Sequence, residues 1–400
     1  MNKALLKDIS KHISSGLTPL RSNPIFWESQ DIPWVKTEQL GIKHIYNSNE
    51  KISKTALEKT SLKLNPVNSL SIAMYGEGQT RGRISIFKSE MTTNQACCNL
   101  VIDEDKAHYE YVYYFLKTQY QELRNLSSGV RKNLNSNDIK SFEIRLPEEL
   151  NTQISIAKAL ANLDKKIELN NKINTELEAM AKLIYDYWFV QFDFPDANGK
   201  PYKSSGGKMV YNEELKREIP EGWSDKELSD IAEIKAGGDK PKILSAEISE
   251  NRTVPIYSNG IKNYGLYGYT EAAKISSPSI TISARGTIGV SFLRMKPFVP
   301  IIRLIVVTPN NQNYLKYLDE CLSTTAFENS GSVQKQLTAP QISRLKIICP
   351  TDELLEKYTS MVFPSISEIE IIKDQNNELT KLRDWLLPML MNGQVTIKES

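Results

Sequence analysis

The feature that most constrains this chain is that it repeats itself. Leu6, Asp8, Ile9, Gly16, Pro19 and Pro33 recur as Leu228, Asp230, Ile231, Gly238, Pro241 and Pro255, each 222 residues later. Arg81-Gly82-x-Ile84 recurs as Arg285-Gly286-x-Ile288 at a spacing of 204. Tyr111, Tyr114, Lys132, Leu134, Ile139, Ile144 and Pro147 recur as Tyr314, Tyr317, Lys335, Leu337, Ile342, Ile347 and Pro350 at a spacing of 203. Three colinear blocks with a shrinking offset describe one duplicated module, the second copy 19 residues shorter than the first. A chain of 400 residues also exceeds one ordinary domain and accommodates two.

Each copy reads as mixed α/β (α+β). Short apolar runs at 69–75 and 83–87 flank a glycine-rich turn, and those at 279–284 and 289–293 flank Arg285-Gly286-Thr287-Ile288, so both pairs predict strands. Residues 109–126 and 314–327 predict helices, and 141–146 and 344–349 predict strands stopped by Pro147 and Pro350. The stretch from Tyr257 to Tyr269 is open to two readings, an exposed contact loop or a half-buried hairpin.

After each of those prolines comes a long helical pattern. From Ile156 the apolar steps alternate three and four through Leu160, Leu163, Ile167, Asn170, Asn174, Leu177, Ala181, Ile184 and Trp188, the spacing of a coiled-coil seam. The second pattern runs through Leu355, Val362, Ile366, Ile369, Asn376, Leu379, Leu382 and Leu386, and Pro364 is expected to kink it or start it afresh. Asparagines in both seams cost burial energy but fix register. The simplest arrangement packs the two helices on each other, antiparallel, with pseudo-twofold symmetry. The expected organisation is a recognition module at 1–150, a long helix at 151–193, a polar linker at 194–220, a second module at 221–350 and a second long helix at 351–400.

The net charge of +2 carries no strong nucleic-acid signal, but its distribution is informative. Residues 1–150 hold 20 basic against 17 acidic side chains and 194–350 hold 20 against 16, whereas 351–400 hold 5 against 9. Globular parts with a slight cationic excess suit phosphate, and acidic helices suit another partner. Cys97, Cys98, Cys321 and Cys349 lack metal-ligand spacing and read as reduced core thiols. No secretion signal opens the chain, and Arg303 breaks the most apolar run, so a cytoplasmic location without membrane insertion is expected.

Catalytic motifs fail on inspection. Asn23-Pro24-Ile25-Phe26 lacks the second proline of a base-holding methyltransferase loop, and no cofactor loop accompanies it. Pro195-Asp196 with Glu214-Leu215-Lys216 mimics a nuclease signature, but those acids fall in the polar connector rather than on a sheet that could converge on a metal. Gly76-x-Gly78 has Arg81 where a dinucleotide loop needs glycine, and Gly206-Gly207-Lys208 is followed by Met209 instead of Ser or Thr. His12, His44 and His108 all lie in the first copy. A duplicated enzyme should show its chemistry twice; what recurs here is glycine, proline, arginine, lysine and tyrosine, residues of loop shape and backbone contact.

Recurrent cations at loops, Arg81 with Arg285 and Lys132 with Lys335, suit phosphate, and Lys240 lies on the second G-x-x-P turn. Discriminating contacts should come from what differs between copies: Gln79, Arg83 and Arg131 in the first, Asn259, Asn263, Tyr264, Tyr267 and Gln334 in the second. The central run Ile184–Pro195, the Ile219-Pro220-Glu221-Gly222-Trp223 connector and the ending Asp384–Val395, taken with the paired turns and the module–helix–module–helix order, resemble the specificity subunit of type I restriction–modification systems. The resemblance implies a non-catalytic DNA reader. Each module would recognise half of a bipartite site in double-stranded DNA. The helices would act as a ruler and dock two DNA methyltransferase subunits, which restriction and translocase subunits join. This chain would hold no cofactor; S-adenosylmethionine, ATP and Mg would belong to the partners. A methyltransferase or nuclease with a fused reader, and a coiled-coil scaffold that binds only protein, are the competing classes.

Overall fold

The first module begins with the strand Asn2–Leu5, which pairs antiparallel with Glu143–Leu146. The structure, a computed structural model, describes residues 1–76, 78–126, 133–327 and 336–397. The central sheet has five strands in the order Ser10–Ser15, Cys97–Ile102, Leu70–Ala73, Ile84–Phe87 and His44–Ile45. A smaller sheet places Ile32–Val35 between Glu50–Ile52 and Thr92–Thr93, the last pair parallel. The apolar runs at 70–73 and 84–87 are buried throughout, as strands covered on both faces must be. The segment expected as one helix over 109–126 is two, Tyr109–Thr118 and Tyr120–Asn125, parted by Gln119 at a non-helical ψ of 19°.

The second module repeats this plan. Ser224–Glu227 pairs antiparallel with Lys346–Cys349. Its central sheet runs Ala232–Ala236, Ile305–Pro309, Ser279–Ile282 and Ser291–Arg294, the same order as the first four strands of copy one. Its small sheet places Val254–Tyr257 between Leu266–Thr270 and the parallel partner Val299–Pro300. The tyrosine-rich stretch is thus a hairpin. Extra length in the first copy carries the strand His44–Ile45 and the helix Lys54–Lys59.

Two long helices follow, Leu150–Tyr185 and Asp352–Met391. The first continues as a π-helical turn at Asp186–Val190. The second neither stops nor restarts at Pro364: one helix of 40 residues runs through it. The proline removes one backbone hydrogen bond, but Tyr358, Val362 and Ile366 stay buried in one core on either side of it, and that burial outweighs the loss.

The chain divides into two compact units, Met1–Leu169 with Gln375–Ser400, and Asn170–Asp374, so each unit takes a part of both long helices. In the first unit Ile156, Ala157 and Leu160 share a core with Tyr111, Leu116, Leu387, Leu390 and Met391. Arg383 meets Asp164 at 3.0 Å. The numbering rises along one helix as it falls along the other, so the helices run antiparallel. In the second unit Ala181 and Tyr185 share a core with Tyr358, Val362 and Ile366, again antiparallel. Aromatic rings dominate this joint: Phe189 lies 4.8 Å from Tyr317 and 5.0 Å from Tyr358. The polar connector is anchored there, with Phe194 stacked between Tyr202 at 4.7 Å and Trp223 at 5.3 Å.

Along the seam Asn170 is 1% exposed, Ile369 is buried, and Leu163, Ile167, Asn174, Leu177, Asn376, Leu379 and Leu386 are half-buried. No described helix is long and apolar enough to cross a membrane.

Candidate nucleic-acid interface

In both modules the turns singled out from sequence meet at one end of the central sheet. In the first, the Gly16 amide donates to the Cys97 carbonyl at 3.2 Å and Leu17 to Thr93 at 2.9 Å. A Cβ at position 16 would lie 2.2 Å from the Thr93 carbonyl oxygen, so only glycine allows the approach. The glycine-rich turn leaves the next strand and returns through Gly82, whose amide donates to Ala73 at 2.8 Å. The helix Tyr120–Asn125 braces it: the Tyr120 hydroxyl donates to the Gln79 carbonyl at 2.6 Å, and Arg124 Nη1 donates to Gly78 at 2.9 Å. Leu134 closes the cluster by donating to Met74 at 3.2 Å.

The second module is built alike. Gly237 donates to Leu304 at 2.8 Å, and Leu337 donates to Ala284 at 3.0 Å, just ahead of Arg285. Asn259 ties the turns together: its Nδ2 donates to the Ile302 carbonyl at 2.7 Å and its Oδ1 accepts from the Ala284 amide at 2.7 Å.

The sheet end therefore gathers Gln79, Arg81 and Arg83 in one module and Lys240, Asn259 and Arg285 in the other. Gln79, Lys240 and Arg285 are exposed; Arg81, Arg83 and Asn259 are half-buried. The Arg83 stem lies against Gly41, where a Cβ would come within 2.8 Å of Arg83 Cδ. Arg285 Nη2 donates to Gln336 at 3.2 Å. Among the described residues neither Lys240 nor Arg285 forms an ion pair, which leaves their charge toward solvent. Asn263 and Tyr264 lie apart, in left-handed conformation with φ of 49° and 53°. The Tyr264 ring rests 5.6 Å from Phe292 on the outer strand, and its carbonyl accepts from Arg294 at 2.6 Å. Arg131, Lys132, Gln334 and Lys335 lie outside the described residues.

Two residues at the sheet end escaped sequence reasoning. Gln95 and Arg303 sit on the turns that lead into Cys97–Ile102 and Ile305–Pro309, and both are exposed. The copies share no residue at these tips, so no identity flagged them.

Among the described residues no group of His, Cys, Asp and Glu could hold a metal. Burial pushes the thiols of Cys97 and Cys98 up to about 12, far from a nucleophilic thiolate at neutral pH.

Two copies of one sheet module, each presenting exposed loops with cations at the same end, define a tandem recognition protein. The chain belongs to the family described as the type I restriction modification DNA specificity domain, whose model matches residues 2–179 and 220–381. It is a DNA-binding specificity subunit, a recognition component and not an enzyme, from a family that assembles with modification and restriction subunits. A relative in Methanocaldococcus jannaschii, the type I restriction enzyme MjaIX specificity subunit, is 28% identical over 98% of this chain and 93% of its own. The HindI specificity subunit of Haemophilus influenzae is 22% identical over 67% of this chain and 72% of its own. The crystal structure of a type I S subunit from M. genitalium shares the fold, with a TM-score of 0.59 at 18% identity, covering 100% of this chain and 96% of that one.

Proposed function

We propose that residues 1–150 and 221–350 each read one half of a bipartite, asymmetric site in double-stranded DNA, and that the two long helices fix the gap between the halves. One observation carries this reading: the same sheet end is built twice on the same hydrogen-bonded frame, while the side chains it presents differ. A shared frame suits a common backbone, and differing side chains suit two different base sequences.

The helices also dock two methyltransferase subunits, with restriction and translocase subunits joining that core in the cytoplasm. Their outward faces support this, since Leu169, Ile173, Met180 and Leu183 on the first helix are exposed apolar residues. S-adenosylmethionine, ATP and Mg serve the partners.

The test is co-expression with the methyltransferase subunit of the same system and genome-wide mapping of modified adenines. Removing one heptad shortens a helix by about 10 Å, close to 3 base pairs. Heptad deletions should change the gap and leave both half-sites as they were. An altered half-site with an unaltered gap overturns the ruler.

A further inference from the structure

The turns carrying Gln95 and Arg303 occupy the same place in the two copies, with different backbone conformations at the tip. Thr93 pairs with Val35, and Pro300 pairs with Tyr257, in matching parallel bridges. Asn94 then donates to the Val35 carbonyl at 3.0 Å, as Ile301 donates to Tyr257 at 2.9 Å. Each turn ends where Cys97 accepts from Gly16, the glycine of its G-x-x-P turn, or Leu304 accepts from Gly237, the residue just before its own. Between those fixed points only the tip differs: Gln95-Ala96 in one module, Ile302-Arg303 in the other.

The neighbouring turn differs in step. Thr18 and Lys240 each lie two residues past the glycine of the G-x-x-P motif, 222 residues apart. The Thr18 hydroxyl donates to Gln95 Oε1 at 2.5 Å, so the first module presents a neutral, pre-oriented amide. The second presents two exposed cations, and among the described residues Arg303, like Lys240, has no ion-pair partner.

The second tip is also held against its own preference. Ile302 and Arg303 adopt φ of 54° and 59°, a left-handed conformation that a β-branched residue such as Ile302 disfavours. Three bonds enforce the conformation: Ile302 donates to Gly238 at 2.9 Å, Arg303 donates to Gly237 at 2.9 Å, and the Ile302 carbonyl accepts from Asn259 at 2.7 Å. The frame over-determines a shape that the tip residues would not choose.

We propose that this turn is a paired specificity position, in which Arg303 reads a guanine in the half-site of the second module and Gln95 reads an adenine in that of the first. The side chains match those bases: a guanidinium donates to guanine O6 and N7, and an amide both accepts from adenine N6 and donates to N7. The inference rests on the two-reader function above.

The experiment uses the full chain in complex with its modification subunits, acting on a plasmid library randomised across both half-sites, with methylated adenines read by sequencing. Arg303→Ala should cut discrimination at one G·C pair of one half-site by about 10- to 100-fold and leave the other half-site intact. Gln95→Ala should do the same at one A·T pair of the opposite half-site. Ile302→Gly, which accepts the left-handed φ, should keep the wild-type motif and shows that the turn still folds. A motif unchanged in both Arg303→Ala and Gln95→Ala, or a uniform loss across all sequences, overturns the proposal while the two-reader function stands. A wild-type complex that marks no bipartite motif overturns both.

Discussion

Asn259 is a candidate base reader by chemistry and a structural clamp by position. Its amide joins the Ala284 amide and the Ile302 carbonyl, both at 2.7 Å. Asn259→Ala strands both partners and should destabilise the second unit by about 1–3 kcal/mol, read from urea unfolding. Arg285 is the opposite case, exposed and, among the described residues, with its side chain tethered only through Gln336. If it meets phosphate, Arg285→Ala lowers the slope of log affinity against log salt by about 0.9 and weakens all DNA sequences alike. A sequence-selective loss would assign it to a base instead. In the first unit Glu110 lies 3.0 Å from Lys43 Nζ and 3.8 Å from His44. Burial alone would raise its pKa, but His44 and Lys43 outweigh burial and hold it at about 2. A carboxyl held below its unfolded value of about 4.3 stabilises the fold above that value, and the contribution fades as pH falls toward 2. The unfolding free energy of the first unit, read from urea titrations, should drop between about pH 4.5 and 2, by an amount on the order of 3 kcal/mol that Glu110→Gln removes. Residues at this scale were only partly legible. Arg81 and Arg285 announced themselves through the repeat, whereas Gln95 and Arg303 occupy tips that share no residue, and an asparagine bound for a clamp looks like one bound for a base.

Elements were legible wherever burial imposes a period. The heptad steps from Ile156 to Trp188 fall on a continuous helix and its π-helical extension because the seam is a stripe that leaves water. Pro364 misled because local propensity was weighed without the core on both sides of it. Gln119 parts two helices that the apolar pattern joined, and nothing in its own chemistry announces the break. Asn174 shows what the seam costs: its Oδ1 is buried without a hydrogen-bond partner among the described residues. Asn174→Leu should raise stability by about 1 kcal/mol in urea unfolding, since an unsatisfied acceptor is replaced by apolar burial. A loss of stability would mean that this asparagine is satisfied in solution.

At the scale of the molecule, the units do not follow the order of the chain. The first unit is completed by residues 375–400, which supply Leu387, Leu390 and Met391 to its core. Each such buried side chain is worth about 2–5 kcal/mol, and a domain is stable by about 5–15 kcal/mol in all. Truncation after Asp374 should therefore unfold the first unit and spare the second, leaving a protease-resistant fragment close to 170–374. Survival of a fragment from the first 169 residues would contradict it.

That interleaving sets a timetable for the ribosome. The half-built core around Leu160 must wait for about 230 further residues before Leu390 emerges, a delay of about 10–50 s at bacterial elongation rates. The module translated first is thus the last to finish, and during that interval its apolar surface is open to chaperones, or to a tail from another nascent copy.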